Sequence, residues 1–317
     1  MLGRGVAERI SSGQPEEVWS PPVRDLCAEC DLVVANLECC ISARGEPTER
    51  LPGKPFFFRG PPEAIRALEA IGVDAVGLAN NHALDYETEA LLDTLELLAG
   101  ADIAVAGAGR DAAAARRAAV VDGAGARLGL IAVSDHPAEF AAGESDPGIA
   151  YADLRDGPPP WLLEELGRAR RDCDLLIAFP HWGPNMTSAP APWQRHAAHA
   201  LRDAGADLVA GHSAHVFHGV AWEGGPLVFD LGDALDDYRV DGRLRNDLGI
   251  LALWRPGDPE AELELVGLAL DFCHTRIAEG DEADWIAGRL ESACAALGTR
   301  MERVAEHRFR VYESGRE

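Results

Sequence analysis

Three polar clusters in this sequence each follow directly on a short apolar run. Ala79-Asn80-Asn81-His82 follows Val73–Leu78, Pro180-His181-Trp182-Gly183 follows Asp174–Phe179, and Gly211-His212-Ser213-Ala214-His215 follows Ala206–Ala210. A parallel sheet brings the C-terminal ends of its strands to one edge, where residues far apart in sequence converge. The chain is therefore expected to be an α/β protein with a histidine-rich centre at its strand ends.

Apolar runs rich in Val, Ile and Leu alternate with amphipathic segments along most of the chain, which predicts strands and helices in turn. The other predicted strands are Asp31–Asn36, Asp102–Ala106 and Arg127–Val133, and the predicted helices are Pro62–Ile71, Glu87–Ala99, Trp161–Arg171 and Trp193–Ala204. A hairpin of Val220–Trp222 and Pro226–Leu231, strands near Leu248–Trp254 and Glu262–Leu270, and a helix at Asp281–Leu297 follow. We expect one domain over residues 1–270, with 271–317 as an extension packed on it.

Two segments, Arg44–Gly60 and Ser134–Pro160, contain too many Pro and Gly residues for regular structure. Long loops of this kind commonly cover a site or bind a partner. We interpret both segments as insertions or lids.

Charge limits the partners of this chain. Asp and Glu number 53 against 29 Lys and Arg, giving a net charge of −24. Such a balance argues against nucleic acid or an anionic membrane surface and leaves a cation as the natural partner of an acidic cleft. The sequence has no apolar stretch of the ~18–20 residues that cross a bilayer. As written, the chain is expected to be cytoplasmic, and membrane-associated or exported if its true N-terminus is longer.

The seven cysteines form no regular framework, which predicts reduced thiols. Cys27-Ala-Glu-Cys30 has the spacing of half a zinc knuckle but no second pair to complete it. We interpret it as the buried face of a short helix.

Each polar cluster has a chemical and a structural interpretation. His212 and His215 could face one cation after a tight turn, or be ordinary loop histidines, and His181 alone is typical of a hydrogen-bonded structural histidine. The amide oxygen of Asn81 suits a divalent cation, and the adjacent His82 could protonate a leaving group. The structural alternative is that asparagine here caps the next helix. Glu38 could bridge cations or be exposed to solvent.

Taken together, the clusters resemble the CapA-like poly-γ-glutamate capsule synthesis family, within the calcineurin-like metallophosphoesterases. The resemblance is carried by Asn36-Leu37-Glu38, Ala79–Tyr86, His181-Trp182-Gly183, Gly211–Val216 and Asp230-Leu231-Gly232-Asp233. It implies a four-layer αββα sandwich with a centre of two divalent cations, Mn, Fe or Zn.

The resemblance also implies roles for individual residues. The metal ligands would be Glu38, Asn81, His181, His212 and His215, the catalytic residues His82 as general acid and Asp85, and the substrate-binding residues Asn36, Asn80 and Asp233. Two cations at that centre would bind a phosphoryl group and activate a bridging water, and His82 would protonate the departing oxygen.

The sequence departs from the family pattern at three places. The family usually places an apolar strand ending in Gly-Asp just before a segment like Met1–Gly5, so the fold is expected to lack its first strand and first ligand. Either the start was assigned to an internal Met, which we favour and which an in-frame upstream start would show, or the protein has a crippled site. Pro184-Asn185 stands where a glutamate is common, and Asp233 where asparagine is typical.

Three functions remain open. The first is a metal-dependent phosphoesterase-like hydrolase linked to poly-γ-glutamate, capsule or cell-envelope metabolism. Its substrate would be a small molecule or a polymer that is phosphorylated or γ-glutamyl. The second is a non-catalytic accessory protein in poly-γ-glutamate synthesis or export. The third is a metal-independent peptide epimerase, in which His82 or His181 opposite Glu38 exchanges an α-proton.

Overall fold

The mixed α/β architecture expected from the sequence is present in the computed structural model, which describes residues 1–123, 125–258 and 262–313. The α-helices are α1 Arg4–Ser12, α2 Pro21–Ala28, α3 Ile65–Glu69, α4 Glu87–Gly100, α5 Ala112–Arg116, α6 Pro160–Asp172, α7 Pro192–Asp203 and α8 Asp281–Ala296. Short 3₁₀ turns lie at Pro15–Val18, Pro62–Ala64 and Ala138–Phe140. The strands are β1 Val33–Asn36, β2 Cys40–Ile41, β3 Arg59–Gly60, β4 Val73–Gly77, β5 Ala104–Ala106, β6 Ala108–Gly109, β7 Ala119–Gly123, β8 Ala126–Ser134, β9 Gly148–Ile149, β10 Leu175–His181, β11 Leu208–Ala210, β12 Val220–Trp222, β13 Pro226–Val228, β14 Leu248–Trp254, β15 Leu263–Asp271, β16 His274–Ile277, β17 Thr299–Ala305 and β18 Arg308–Glu313.

These strands form three main sheets. The largest has the order β12-β13-β11-β10-β8-β7, in which β13, β11, β10 and β8 are parallel and the two edge strands are antiparallel. A second sheet, β1-β4-β5, is parallel throughout. The third, β14-β15-β18-β17 with β16 on β15, is antiparallel.

Alternation along β8 and β10 divides the apolar residues between two cores, because successive strand side chains point to opposite faces. Leu130 and Ala132 belong to one core with Val76 of β4, whereas Ile131 and Val133 belong to another with Leu162 of α6. The six-stranded sheet therefore packs on helices with one face and on the β1-β4-β5 sheet with the other.

Strands β1 and β14 each present an edge that pairs with no strand in the described part of the chain. The half-exposed apolar residues on these edges are Val33, Val34, Ala35, Leu251, Ala252 and Trp254. A parallel strand is usually covered by neighbours, so β1 has the character of an interior strand with one side open.

Most predicted elements are confirmed to within a few residues, including the β12–β13 hairpin, whose strands pair antiparallel. Helix α1, the edge strand β7 and the β17–β18 hairpin were not predicted. The exposed face of β17–β18 is rich in Arg and Glu, which hides the apolar alternation of a strand. Because β16 and β18 pair with β15, residues on both sides of residue 270 share one sheet; the boundary there stays a prediction.

All seven cysteines lie in described residues and are free thiols, as predicted. Cys27 is buried on the short helix α2, whereas Cys30 lies just after it and is partly exposed. Among the described residues, we find no helix with the length and apolar character needed to span a membrane.

Candidate functional site

The polar clusters converge because their strands end at the same edge. His181 is the last residue of β10, and it forms a bridge with His212, which follows β11. Glu38 follows β1 and lies 4.0 Å, from Oε1 to Nε2, from His215. The structure thus brings together residues of three sequence-distant segments, as the strand-end pattern predicted.

Asn80 organises the β1 and β4 ends of the site. Its fully buried amide donates from Nδ2 to Oδ1 of Asn36 at 3.1 Å and to the carbonyl of Leu37 at 2.8 Å. Its Oδ1 accepts from the backbone N–H of His82 at 3.1 Å, while Asn36 donates to Oε2 of Glu38 at 3.1 Å. Asn36 and Asn80, assigned to substrate binding by the resemblance, are therefore occupied in positioning Glu38 and His82.

The alternative that asparagine here caps the following helix is wrong. Helix α4 has Tyr86 at its N-cap position and no side-chain cap hydrogen bond. Oδ1 of Asn80 accepts from the backbone N–H of His82 instead, and Oδ1 of Asn81 has no hydrogen-bond partner among the described residues.

His82 and Asp85 form a buried dyad. Nδ1 of His82 lies 2.6 Å from Oδ2 of Asp85, which also accepts from the backbone N–H of Phe58 at 2.6 Å. Burial lowers the pKa of His82 more than the neighbouring Asp85 carboxylate raises it, so the ring favours the neutral form. With Nδ1 held by Asp85, Nε2 is the nitrogen left to exchange a proton with a bound group.

Lys54, which the sequence did not single out, completes this network. Its Nζ lies 2.9 Å from Oδ1 of Asp85 and donates to the carbonyl of Asn81 at 2.5 Å. The ammonium also lies 5.5 Å from the ring centroid of Phe140. The loop containing residues 44–60 therefore reaches into the site and meets the loop containing residues 134–160 there, while their role as lids stays a prediction.

His181 and His212 are directly paired, with their Nδ1 atoms 2.8 Å apart. Burial, followed by the neighbouring histidines, lowers the pKa of His181 well below its usual value and that of His212 to about 3. Both rings are thus neutral near pH 7, which is the form that ligates a metal. Nε2 of His212 is buried without a hydrogen-bond partner among the described residues.

His215 is held differently. Its Nδ1 lies 3.0 Å from Oδ1 of Asp233. Burial lowers the pKa of His215, but the carboxylates of Asp233, Glu38 and Asp230 outweigh it and raise that pKa to about 10. A carboxylate on Nδ1 leaves Nε2 free to ligate a metal, and binding a cation there must release the ring proton.

Two other groups lie at the site: His136, which the sequence did not single out, and Asp236, which with Asp237 was expected to add negative charge near the cleft. His136 follows β8, its ring centroid lies 5.2 Å from that of His181, and its Nδ1 pairs with Asp135. Asp236 is buried near Asp233, and burial, together with that neighbour, raises its pKa to about 8. The available signal for His136 was its position directly after an apolar run, but the adjacent proline suggested only a loop.

The donor chemistry of the site suits a divalent cation, although no three His, Cys, Asp or Glu groups in the described ranges already stand as a metal cage. Oε1 of Glu38, Oδ1 of Asn81 and Nε2 of His212 are buried and lack hydrogen-bond partners among the described residues. Buried polar atoms are normally satisfied, so unpartnered oxygen and nitrogen donors in one region fit a cation. The assignment of these residues as ligands stays a prediction.

Fold and site together define a mixed α/β protein with a buried polar centre at its strand ends. The family model described as bacterial capsule synthesis protein PGA_cap matches residues 1–238, and the chain belongs to that family. The resemblance inferred from the strand-end motifs is thereby confirmed.

Individual relatives agree with this membership. A Mycobacterium tuberculosis protein named a probable polyglutamine synthesis accessory protein is 33% identical over 93% of this chain and 82% of its own length. The Bacillus subtilis PGA biosynthesis protein CapA is 28% identical over 75% of this chain and 61% of its own length. Among solved structures, a hypothetical protein from Thermus thermophilus has a TM-score of 0.39 and 16% identity, over 80% of this chain and 88% of that chain.

Proposed function

We propose that this chain is a metal-dependent, phosphoesterase-like hydrolase that serves poly-γ-glutamate, capsule or cell-envelope metabolism. The observation that carries the proposal is the buried His82–Asp85 dyad beside the unpartnered donor atoms of Glu38, Asn81 and His212. Membership of the capsule synthesis family supports the biological setting. The substrate would be a small molecule or polymer that is phosphorylated or γ-glutamyl.

Different residues would bind the metal ions, transfer the proton and orient the ligands in such a reaction. Glu38, Asn81, His181, His212 and His215 would hold the divalent ions, Mn, Fe or Zn, which supply Lewis acidity and lower the pKa of water. His82, whose ring is neutral in the free protein, would take up a proton at Nε2 from solvent or substrate and transfer it to the leaving oxygen. Asp85, on Nδ1, would stabilise the charged ring and hold it in one orientation. Asp233 would orient His215 through the same kind of contact.

For the fold, we propose the four-layer αββα sandwich of the metallophosphoesterases, interrupted between β1 and β14. Two contacts support an arrangement in which these open edges run side by side in opposite directions. Cys30, before β1, lies within the electrostatic range of Arg255, which follows β14. At the other end, Glu38, just after β1, lies near His215, and His215 contacts Asp233. The backbone carbonyl of Asp233 packs against Gly249 of β14. The additional strand expected from the family pattern would fit between them.

Metal binding tests the hydrolase proposal. Protein stripped with a chelator and then given Mn, Fe or Zn should retain the ion in metal analysis and unfold at a temperature that rises with the concentration of free metal. A His181→Ala, His212→Ala double variant should lose both effects, whereas His196→Ala, an exposed histidine on α7, should keep them. Turnover of generic phosphate esters by the loaded protein is the second readout. Equal behaviour of wild type and double variant would exclude the proposed centre.

A non-catalytic accessory role is the second candidate. It is favoured by the name of the M. tuberculosis relative and by the lack of a preformed three-residue cage among the described residues. Retention of metal without turnover of phosphate esters or γ-glutamyl peptides would support this role over hydrolysis.

A further inference from the structure

Helices α5 and α6 enclose an unusual patch of positive charge. An open depression of about 630 Å³ between them is lined by Ala113, Arg116, Arg117, Trp161, Glu165 and Arg168. Three arginines and one glutamate give this arginine pocket a local charge of +2 in a chain whose net charge is −24. Surface solvation of an acidic protein does not require such a concentration of guanidinium groups.

One of these arginines is already neutralised. Arg168 donates from Nε to Oε2 of Glu165 at 2.8 Å and from its other arm to Oε1. Glu165 also accepts from the backbone N–H of Ala118 at 2.9 Å. The pair forms a fixed wall of the pocket, and the remaining positive charge belongs to Arg116 and Arg117.

These two guanidinium groups are available to a ligand. Arg116 lies over the ring of Trp161, with Cζ 4.7 Å from the ring centroid. The stacking fixes the plane of the guanidinium and leaves its N–H edges exposed. Among the described residues, neither Arg116 nor Arg117 makes a side-chain hydrogen bond or a close ion pair, and Arg117 lies within electrostatic range of Glu165.

We propose that the arginine pocket binds successive carboxylate groups of an acidic, glutamate-type polymer. A planar guanidinium matches a carboxylate through two parallel hydrogen bonds, as Arg168 does with Glu165. Two adjacent guanidinium groups can take two carboxylates, and the ring of Trp161 holds the Arg116 guanidinium in place for this contact. Because the net charge of the chain repels polyanions at long range, binding such a polymer requires a local site of this kind.

The inference rests on the polymer named in the proposed function but not on any chemistry at the strand-end site. The two can therefore fail separately. A His181→Ala, His212→Ala variant should bind polymer as the wild type does, whatever the outcome for metal and turnover.

Calorimetric titration with poly-γ-glutamate in low-salt buffer tests the pocket. Arg117→Gln should weaken binding about threefold and the Arg116→Gln, Arg117→Gln double variant about tenfold. The matched control is Arg195→Gln on α7, an exposed arginine with the same change of charge. Circular dichroism checks that each variant is folded, and the affinity of the wild type should fall as salt is added.

Three results would overturn the proposal. The wild type could fail to bind the polymer, Arg195→Gln could weaken binding as much as Arg117→Gln, or inorganic phosphate could displace the polymer at concentrations where glutarate does not. The second result would show a long-range charge effect, and the third a phosphate site instead of a carboxylate site.

Discussion

Lys54 and Asp85 form a buried ion pair, with 2.9 Å between Nζ and Oδ1, that joins the loop containing residues 44–60 to the segment after β4. Only 8% of the lysine side chain and none of the aspartate side chain is exposed. Since the same carboxylate holds His82, the pair couples the position of a loop to the orientation of the candidate general acid.

Lys54→Met should lower the free energy of unfolding by about 3 kcal/mol, because it leaves a buried carboxylate without its cation. Urea denaturation near pH 7 measures the loss. Arg50→Met is the matched control, since its ion pair with Glu87 is one-third exposed on both sides and is expected to contribute at most about 1 kcal/mol. Equal losses in the two variants would contradict the structural role of Lys54.

Gly211→Ala should destabilise the protein by about 1–3 kcal/mol, because an added Cβ would lie 2.4 Å from the carbonyl oxygen of Phe229 and 2.5 Å from Nε1 of Trp182. The same substitution at Gly167, in α6, has open space and should stabilise by up to about 1 kcal/mol. If the turn before His212 is as tightly packed as described, the unfolding temperature should fall in Gly211→Ala and rise in Gly167→Ala.

His218 should make the protein less stable in mild acid. Burial lowers its pKa to about 4, despite its contact with the carbonyl of Thr187, so the folded state binds fewer protons than the unfolded state between about pH 4 and 6.5. Stability from this residue is complete above pH 6.5 and falls by about 2 kcal/mol on going to pH 5. The difference in unfolding free energy between wild type and His218→Gln should shift by that amount, and His196→Gln should show no such shift.

His215 should keep its proton at pH 8 in chelator-treated protein, because its pKa is raised to about 10. A raised pKa contributes stability that is complete below about pH 6.5 and is lost as pH rises toward 10. Asp233→Asn should remove most of this effect, and imidazole nitrogen NMR should then show a neutral ring at pH 8. A protonated ring in this variant, or a neutral ring in the wild type, would contradict the assigned pair.

Much of the fold followed from local patterns, since β10 is a continuous apolar run that is buried on both faces and α7 buries one face at the helical period. The meeting of His181 with His212 also followed, because parallel strands that end at one edge bring their next residues together. The position of Lys54 in the site could not be predicted, because Lys54 lies in an irregular loop where residue spacing does not indicate where a side chain points. The half-open edges of β1 and β14 likewise became visible only when the pairing of every described strand was known.

The order of strands and helices, the family, and the side chains that lie at the strand ends are readable from the chain, because they depend on periodicity and on adjacent residues. The partner of each side chain emerges on folding: Asp85 for His82 and Lys54, Asp233 for His215, and Trp161 for Arg116. Of these contacts, only His82 with Asp85 is local in sequence. Pairings such as Lys54 with Asp85 depend on how long loops close over the sheets, and the burial that shifts each pKa exists only after that closure.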